Sequence, residues 1–426
     1  MNEVTLEDIV KAEERIKVIG LNTPLEFSQF FSDLTGANVY LKREDKQPTF
    51  AYKRRGAGNM IFSLSPQEIS RGFWAVSAGN HSQAVAYICN LLSNSDYQGK
   101  GKLCQIVMPK NTSPSKIKAT EIFGYGKVKV YLHGDTYDDA KEYAKNRFGN
   151  SKRIFVPPFD HPLIIAGQGT IGLEINRQMG ETSIDYVLVP VGGGGLISGI
   201  TTALHELRPD TRVIGVEDQE APAMYESIRA GQIVTLPKGF SSYVDGAAVA
   251  EVGTLPFAIW QKLKYDVVTV PQNEILSTTI ELHEMVKMIV ELAGAMPIAA
   301  LKYLGSRKNS EYSFRGKNIV CIVSGGNVDI DKLVDIKRRV MRYANLIPDF
   351  ELEMPDRPGA LDQLFGATLR ANPPIPFNLR KISFTEEAAI GGFMPVEFGV
   401  RLERREDYGR LLKAFEQLGI KYKEKK

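Results

Sequence analysis

Four consecutive glycines, Gly192 to Gly195, sit inside a stretch with no charged side chain between Tyr186 and Leu204. Uninterrupted, so apolar a segment would invite comparison with a membrane span. Four glycines in its middle make a poor spanning helix. The alternative is a buried strand, DYVLVP, a turn that only glycine permits, and a helix from LISG onward. That unit predicts an open parallel sheet, because a strand buried on both faces needs helices above and below it.

The rest of the chain repeats the unit. NVYLKRE and GFWAVSAGN are strand-to-turn segments, and HSQAVAYICNLL follows with Val85, Ile88, Cys89 and Leu92 on one helical face. LCQIVMP reads as a buried strand, SPSKIKATEIFG as a helix opened by Ser-Pro, and KVKVYLHG as a further strand. RVIGVED and NIVCIVSGGN close the series. The polar turns SAGN, GGGG and SGGN all fall after strands, where ligands collect in such sheets. Near residue 345 the pattern changes to β-α-β-β-α, a ferredoxin-like arrangement over about 75 residues. The expected domains are therefore 1–340 and 346–422.

Charge narrows the function. In 426 residues, 53 Lys plus Arg face 50 Asp plus Glu, a net charge of +3, which is no polyanion-binding signature. No nucleic-acid or membrane partner is expected. The three cysteines, Cys89, Cys104 and Cys321, lie in apolar surroundings and read as reduced thiols, which fits a cytoplasmic protein. No metal spacing links His133, His161, His205 and His283.

Two stretches carry chemistry. The glycine run is either a tight β-to-α turn or an anion cradle, in which backbone N–H groups and a helix N-terminus meet a phosphate. GxxxxGK[ST] is absent, which removes a nucleotide triphosphate loop. The second stretch is TFAYKRRGAGNM, where Lys53, Arg54 and Arg55 are either a solvated basic patch or conceal one reactive amine. Aromatic and small neighbours suit a buried helix start, and burial lowers an amine pKa as imine chemistry requires.

VYLKREDKQPTFAYKRRGA, SAGNHSQAVA, VPVGGGGLISG, ELAGA and CIVSGGNVD, in this order, resemble the motif set of fold-type II pyridoxal-phosphate enzymes. Within that family they are most similar to the biosynthetic threonine dehydratases, as are MPKNTSPSKIKATEIFGYG and GDTYDDA. The resemblance covers about residues 5–330, and the tail with DRPGAL is similar to a single ACT-like regulatory domain. It implies two mainly parallel α/β subdomains, the smaller over roughly 50–155 and inserted in 1–340, and pyridoxal 5'-phosphate as cofactor, with Lys53 as the imine-forming lysine beside Tyr52. Arg55 would be the family's arginine. Asn80 would meet the cofactor's phenolic oxygen, Ser324 its ring nitrogen, and Glu291 would lie near the ring. Gly192, Gly193, Gly194, Gly195 and Leu196 would hold the phosphate. Ser77, Ala78, Gly79, Asn80 and His81 would grip the substrate carboxylate, although His81 reads equally well as a residue orienting that loop.

The implied reaction is elimination of water from L-threonine to give 2-oxobutanoate and ammonia. The tail implies a homotetramer with isoleucine as effector, bound through Arg357, Pro358 and Gly359. A broader serine/threonine dehydratase, another β-elimination or β-replacement enzyme, and a non-catalytic amino-acid sensor are the competing readings. Three positions depart from the family. Ala51 stands where a serine is usual, which puts racemisation in doubt; Ala84 replaces a glycine. Ala223 replaces an acidic ligand in the segment with Glu217 and Ala221 that binds a divalent ion in some relatives, so no tight divalent site is expected.

Overall fold

Alternating apolar runs and glycine turns become three sheets in the computed structural model, which describes residues 3–20, 22–92, 103–237, 239–240, 242–307, 310–384 and 392–425. The end of the expected strand NLRKISFTEE, from residue 385, lies outside them. The chain divides into two units, Met1–Ile330 and Asp331–Lys426. This division falls after the first residue of the helix Ile330–Tyr343, whereas the expected break at 340–346 lies at its end; the segment DIKRRV goes with the C-terminal unit.

The first unit holds β1 (Leu25–Phe27), β2 (Asn38–Arg43), β3 (Phe73–Val76), β4 (Cys104–Met108), β5 (Val128–Leu132), β6 (Ile154–Phe155), β7 (Tyr186–Pro190), β8 (Arg212–Asp218), β9 (Asp266–Val270) and β10 (Asn318–Val323). One sheet has the order β1-β2-β10-β7-β8-β9 and the other β5-β4-β3-β6. All pairings are parallel except β1 with β2. Every residue of β3, β4 and β7 is buried, which explains their lack of polar alternation.

One helix locates the others. Pro162–Met179 is almost wholly buried and carries glycines at 167, 169 and 172. A methyl on Gly167 would fall 2.6 Å from the backbone of Gly56, in the helix Arg54–Phe62. The same helix meets Gly199 of Gly195–Leu207, where a methyl would lie 2.6 Å from the Gly169 nitrogen. Backbones can approach this closely only where no Cβ stands between them. The helix after Lys53 and the helix after the glycine run are thus packed on one shared rod.

The second unit holds β11 (Asp349–Pro355), β12 (Phe377–Phe384), β13 (Phe393–Leu402) and β14 (Lys421–Lys425), in the antiparallel order β12-β13-β11-β14. Phe350, Leu352, Met354, Val396, Phe398 and Val400 turn inward with Leu411 and Phe415 of the helix Glu406–Gln417. The expected β-α-β-β-α series gains a final strand and becomes β-α-β-β-α-β.

Candidate active site

Lys53 begins the helix Arg54–Phe62, and none of the three cations forms a solvated patch. Arg54 is 1% and Arg55 0% exposed, while Lys53 is half-buried. Arg55 is clamped by Glu44 at 2.8 Å and Glu174 at 2.7 Å, and Lys42 joins Glu174 at 2.6 Å. Thr23 donates to Glu44 and Thr170 accepts from Arg55. Removing charge from water is costly unless every lone pair and proton is used; this network uses most of them, and it fixes the helix start two residues beyond Lys53. The Lys53 amine donates to the Pro158 carbonyl at 2.9 Å. Burial pulls its pKa down to about 8, against the opposing pull of Glu291.

Pro158 leads directly to the glycine run, because its neighbour Phe159 packs on it. A methyl on Gly193 would sit 2.3 Å from the Phe159 ring, and one on Gly195 would sit 2.9 Å from the Phe159 carbonyl. Gly194 has φ +89° and opens the helix Gly195–Leu207, whose third residue is Ile197 and whose second is the buried Leu196. The turn therefore offers bare backbone N–H groups at a helix N-terminus.

The loop after β3 completes the enclosure. Ser77 accepts from the Gly79 N–H at 3.2 Å, Ala78 lies half-buried between them, and Asn80 begins the helix Asn80–Leu91. Asn80 donates to both Glu291 oxygens at 2.9 and 2.8 Å, and accepts from Asn327 at 2.7 Å. Burial raises Glu291 to about 7 despite the Asn80 bond. Tyr52 reaches the same place through its N–H, which donates to the Ser324 carbonyl at 3.2 Å. His81 is 3% exposed and donates from Nε2 to the Val156 carbonyl at 2.8 Å. Burial and Lys53 push it down to about 3, so its ring is neutral and anchors the loop.

Several participants were not singled out in the sequence. Asn327 stands in the quoted SGGN turn, and a polar residue ending an apolar strand was the available signal. Lys116 pairs with Asp245 at 3.0 Å, and Ser113 donates to Asp329 at 3.0 Å. These bonds tie the helix Pro114–Gly124, between β4 and β5, to loops of the six-stranded sheet; nothing local announces them. At the end of β8, Glu217 accepts from the N–H groups of Met224 and Tyr225 at 2.9 and 2.8 Å. The start of the helix Ala223–Ala230 thus supplies partial positive charge to that carboxylate. Arg357, Pro358 and Gly359 lie in the second unit, where Gly359 (φ +84°) caps the helix Ala360–Thr368 and Arg357 bonds Gln363 at 3.1 Å.

Residues 16–325 match the family described as pyridoxal-phosphate dependent enzyme. The biosynthetic L-threonine dehydratase of Halalkalibacterium halodurans is 39% identical over 424 residues, covering 100% of this chain and 97% of that protein. That of Bacillus subtilis is 34% identical, covering 99% and 95%. Among solved structures, processed threonine deaminase isoform 2 from Solanum lycopersicum superposes with TM-score 0.70 at 38% identity, covering 78% of this chain and 86% of that one. Maize serine racemase gives TM-score 0.70 at 29% identity, covering 81% and 100%.

The residues fit the cofactor. The Ser324 hydroxyl is buried and, among the described residues, has no hydrogen-bond partner, which suits a group that meets a ring nitrogen. The glycine run is bare backbone against Phe159, and the amine of Lys53 is shielded and readily neutral. The chain belongs to the pyridoxal-phosphate dependent enzymes and, within them, to the family of the biosynthetic L-threonine dehydratases.

Proposed function

We propose that this chain converts L-threonine to 2-oxobutanoate and ammonia, the opening step towards isoleucine. Water is lost from the α- and β-carbons and returns when the nitrogen leaves by hydrolysis. The observation that carries this reading is the Lys53 amine, held at the Pro158 carbonyl with a pKa lowered to about 8. A lysine of ordinary pKa, near 10.4, is almost wholly protonated at neutral pH; at about 8 a larger fraction of the Lys53 amine is neutral and able to accept a proton.

Lys53 takes the α-proton. Gly192, Gly193, Gly194, Gly195 and Leu196 hold the cofactor's phosphate, Ser324 its ring nitrogen, and Asn80 its ring oxygen, with Tyr52 and Glu291 beside it. Bound pyridoxal phosphate supplies an electron-withdrawing ring that takes up the charge left on the substrate's α-carbon. Ser324 bears a neutral hydroxyl, which does not keep a ring nitrogen protonated as a carboxylate does; prompt loss of the β-hydroxyl is favoured over transamination. Ser77, Ala78, Gly79, Asn80 and His81 receive the substrate carboxylate, His81 by orienting the loop. Ala51 is buried and carries no hydroxyl, which disfavours proton return on the far face and hence racemisation.

The C-terminal unit acts as an ACT-like regulatory domain in a cytoplasmic homotetramer, with isoleucine as effector and Arg357, Pro358 and Gly359 near its carboxylate. By sequence the catalytic domain spans 1–340 and the regulatory one 346–422, and the division after Ile330 assigns the joining helix Ile330–Tyr343 to the regulatory side. Replacing Lys53 by Ala should abolish oxoacid release and the visible band of bound cofactor; retention of both would refute the assignment. Separate incubations with threonine and serine test the substrate, whose methyl contributes ~1–3 kcal/mol of discrimination. Flat threonine turnover on titrating isoleucine would leave the tail without a regulatory role.

A further inference from the structure

The C-terminal unit contains a cavity of about 460 Å³ lined by Arg338, Met341, Arg342, Ile347, Arg380 and Arg401. Its walls come from three elements: the helix Ile330–Tyr343, the edge strand β12 and its neighbour β13. Arg380 sits at the irregularity between Leu379 and Lys381, and Arg401 is paired with Asn378 in the register. The two strands therefore bring their guanidiniums to the same end of the sheet.

The charges there are not balanced. Arg380 bonds Asp349 at 3.2 Å and the Ile347 carbonyl at 3.3 Å. Among the described residues, the side chains of Arg338, Arg342 and Arg401 have no hydrogen-bond or ion-pair partner. Arg338 and Arg342 also stand four apart on one helix, a like-charge spacing that destabilises a helix unless it is neutralised. Guanidiniums engage phosphate and carboxylate oxygens through paired N–H groups. Met341 and Ile347 add an apolar patch for a carbon skeleton.

We propose that this cavity binds a small organic phosphate, separate from the phosphate turn at Gly192–Gly195 and from any amino-acid site at Arg357. A free amino acid fits poorly, because its ammonium would face four cations, and the carboxylate bonded to this cluster, Asp349, is already engaged by Arg380. A phosphate monoester carries close to two negative charges at neutral pH and no cation. Inorganic phosphate shares the head-group chemistry but leaves Met341 and Ile347 uncovered.

The test uses the full-length chain loaded with its cofactor, so that the glycine turn is filled. Calorimetric titration at low salt with pyrophosphate, phosphate and glycerol 3-phosphate should show one saturable site per chain. The ester should bind more tightly than inorganic phosphate. Arg342→Gln and Arg401→Gln should each weaken binding about tenfold, the loss of one charge-assisted pair, and Arg342→Lys by less. Threonine turnover and the cofactor band should be unchanged in all three. Equal binding by wild type and the double glutamine variant, or no saturable binding at millimolar ligand, overturns the proposal. So does competition by isoleucine for the same site, which would make the cavity an amino-acid pocket.

Discussion

The two units place their charges oppositely. In the catalytic unit Lys42, Glu44 and Arg55 are 0% and Glu174 1% exposed, and all four are joined in one hydrogen-bonded cluster. In the C-terminal unit the core is aromatic and aliphatic, and the carboxylates of Glu351, Glu353 and Glu397 lie on the open sheet face beside Lys381, Lys421 and Lys425. Both arrangements hold a carboxylate low. Burial pushes Glu174 up, but Arg55 and Lys42 outweigh it; Glu397 is lowered by bonds from Lys381 and Lys425 at the surface. The first arrangement fixes positions, because each member is costly without its partners. The second is screened by solvent and fixes little.

Arg55→Ala tests this contrast most severely. It leaves Glu44 and Glu174 buried without their main counter-charge and should destabilise the catalytic unit by ~3–5 kcal/mol, read as a lowered denaturant midpoint. Arg55→Lys keeps charge but loses the bidentate geometry and should recover part of that loss. If Arg55→Ala melts like wild type, the buried cluster does not anchor the start of the lysine helix.

Gly193→Ala comes next. Its methyl would lie 2.3 Å from the Phe159 ring, so the ring and the turn must shift. Overpacking of this kind costs ~1–3 kcal/mol, and here it also disturbs the turn proposed to hold the cofactor's phosphate. Cofactor release during dialysis, followed by absorbance, should be faster than in wild type. The analogous change at Gly409, where a methyl meets nothing within 4 Å, should leave release unaltered.

A smaller effect separates buried from exposed lysines. Only a neutral amine attacks a carbonyl, so cofactor uptake by the stripped chain should accelerate as pH rises through about 8, the value to which burial lowers Lys53. Glu291 pulls that pKa upward, so Glu291→Gln should move the profile to lower pH. A profile centred at the ordinary lysine value would place the amine in water. Lys425, whose pKa is raised by its bond to Glu397, should contribute nothing to uptake.

What could be read from the sequence follows the same division. The turns that hold Asn80, the glycine run and Ser324 are legible because polar or glycine residues follow apolar strands there, whereas the local sequence leaves Lys53 open and only the family resemblance picks it out. Glu174 is not legible: within IGLEINRQ it looks like an ordinary helical carboxylate, and its burial depends on Lys42, 132 residues away, and Arg55, 119 away. The glycines at 167, 169 and 172 take their meaning only from the backbones that pack on them. KYKEK carries no strand pattern beyond Tyr422, yet β14 forms because the open edge of β11 accepts it, with Lys423 opposite Glu351.

That last strand supports the smallest prediction. Lys425 reaches Glu397 and lies 3.9 Å from Glu351, and its ammonium is exposed, so ions in solution replace it readily. Lys425→Ala should leave the thermal midpoint unchanged at physiological salt and lower it only slightly when salt is removed. β14 is held to β11 by backbone hydrogen bonds, and Tyr422 packs against Phe350 and Phe415 with ring centroids 5.9 and 5.5 Å apart. Tyr422→Ala should therefore cost clearly more than Lys425→Ala. Were the two equal, the charged ladder and not the aromatic core would be closing this sheet, and the contrast between the units would fail.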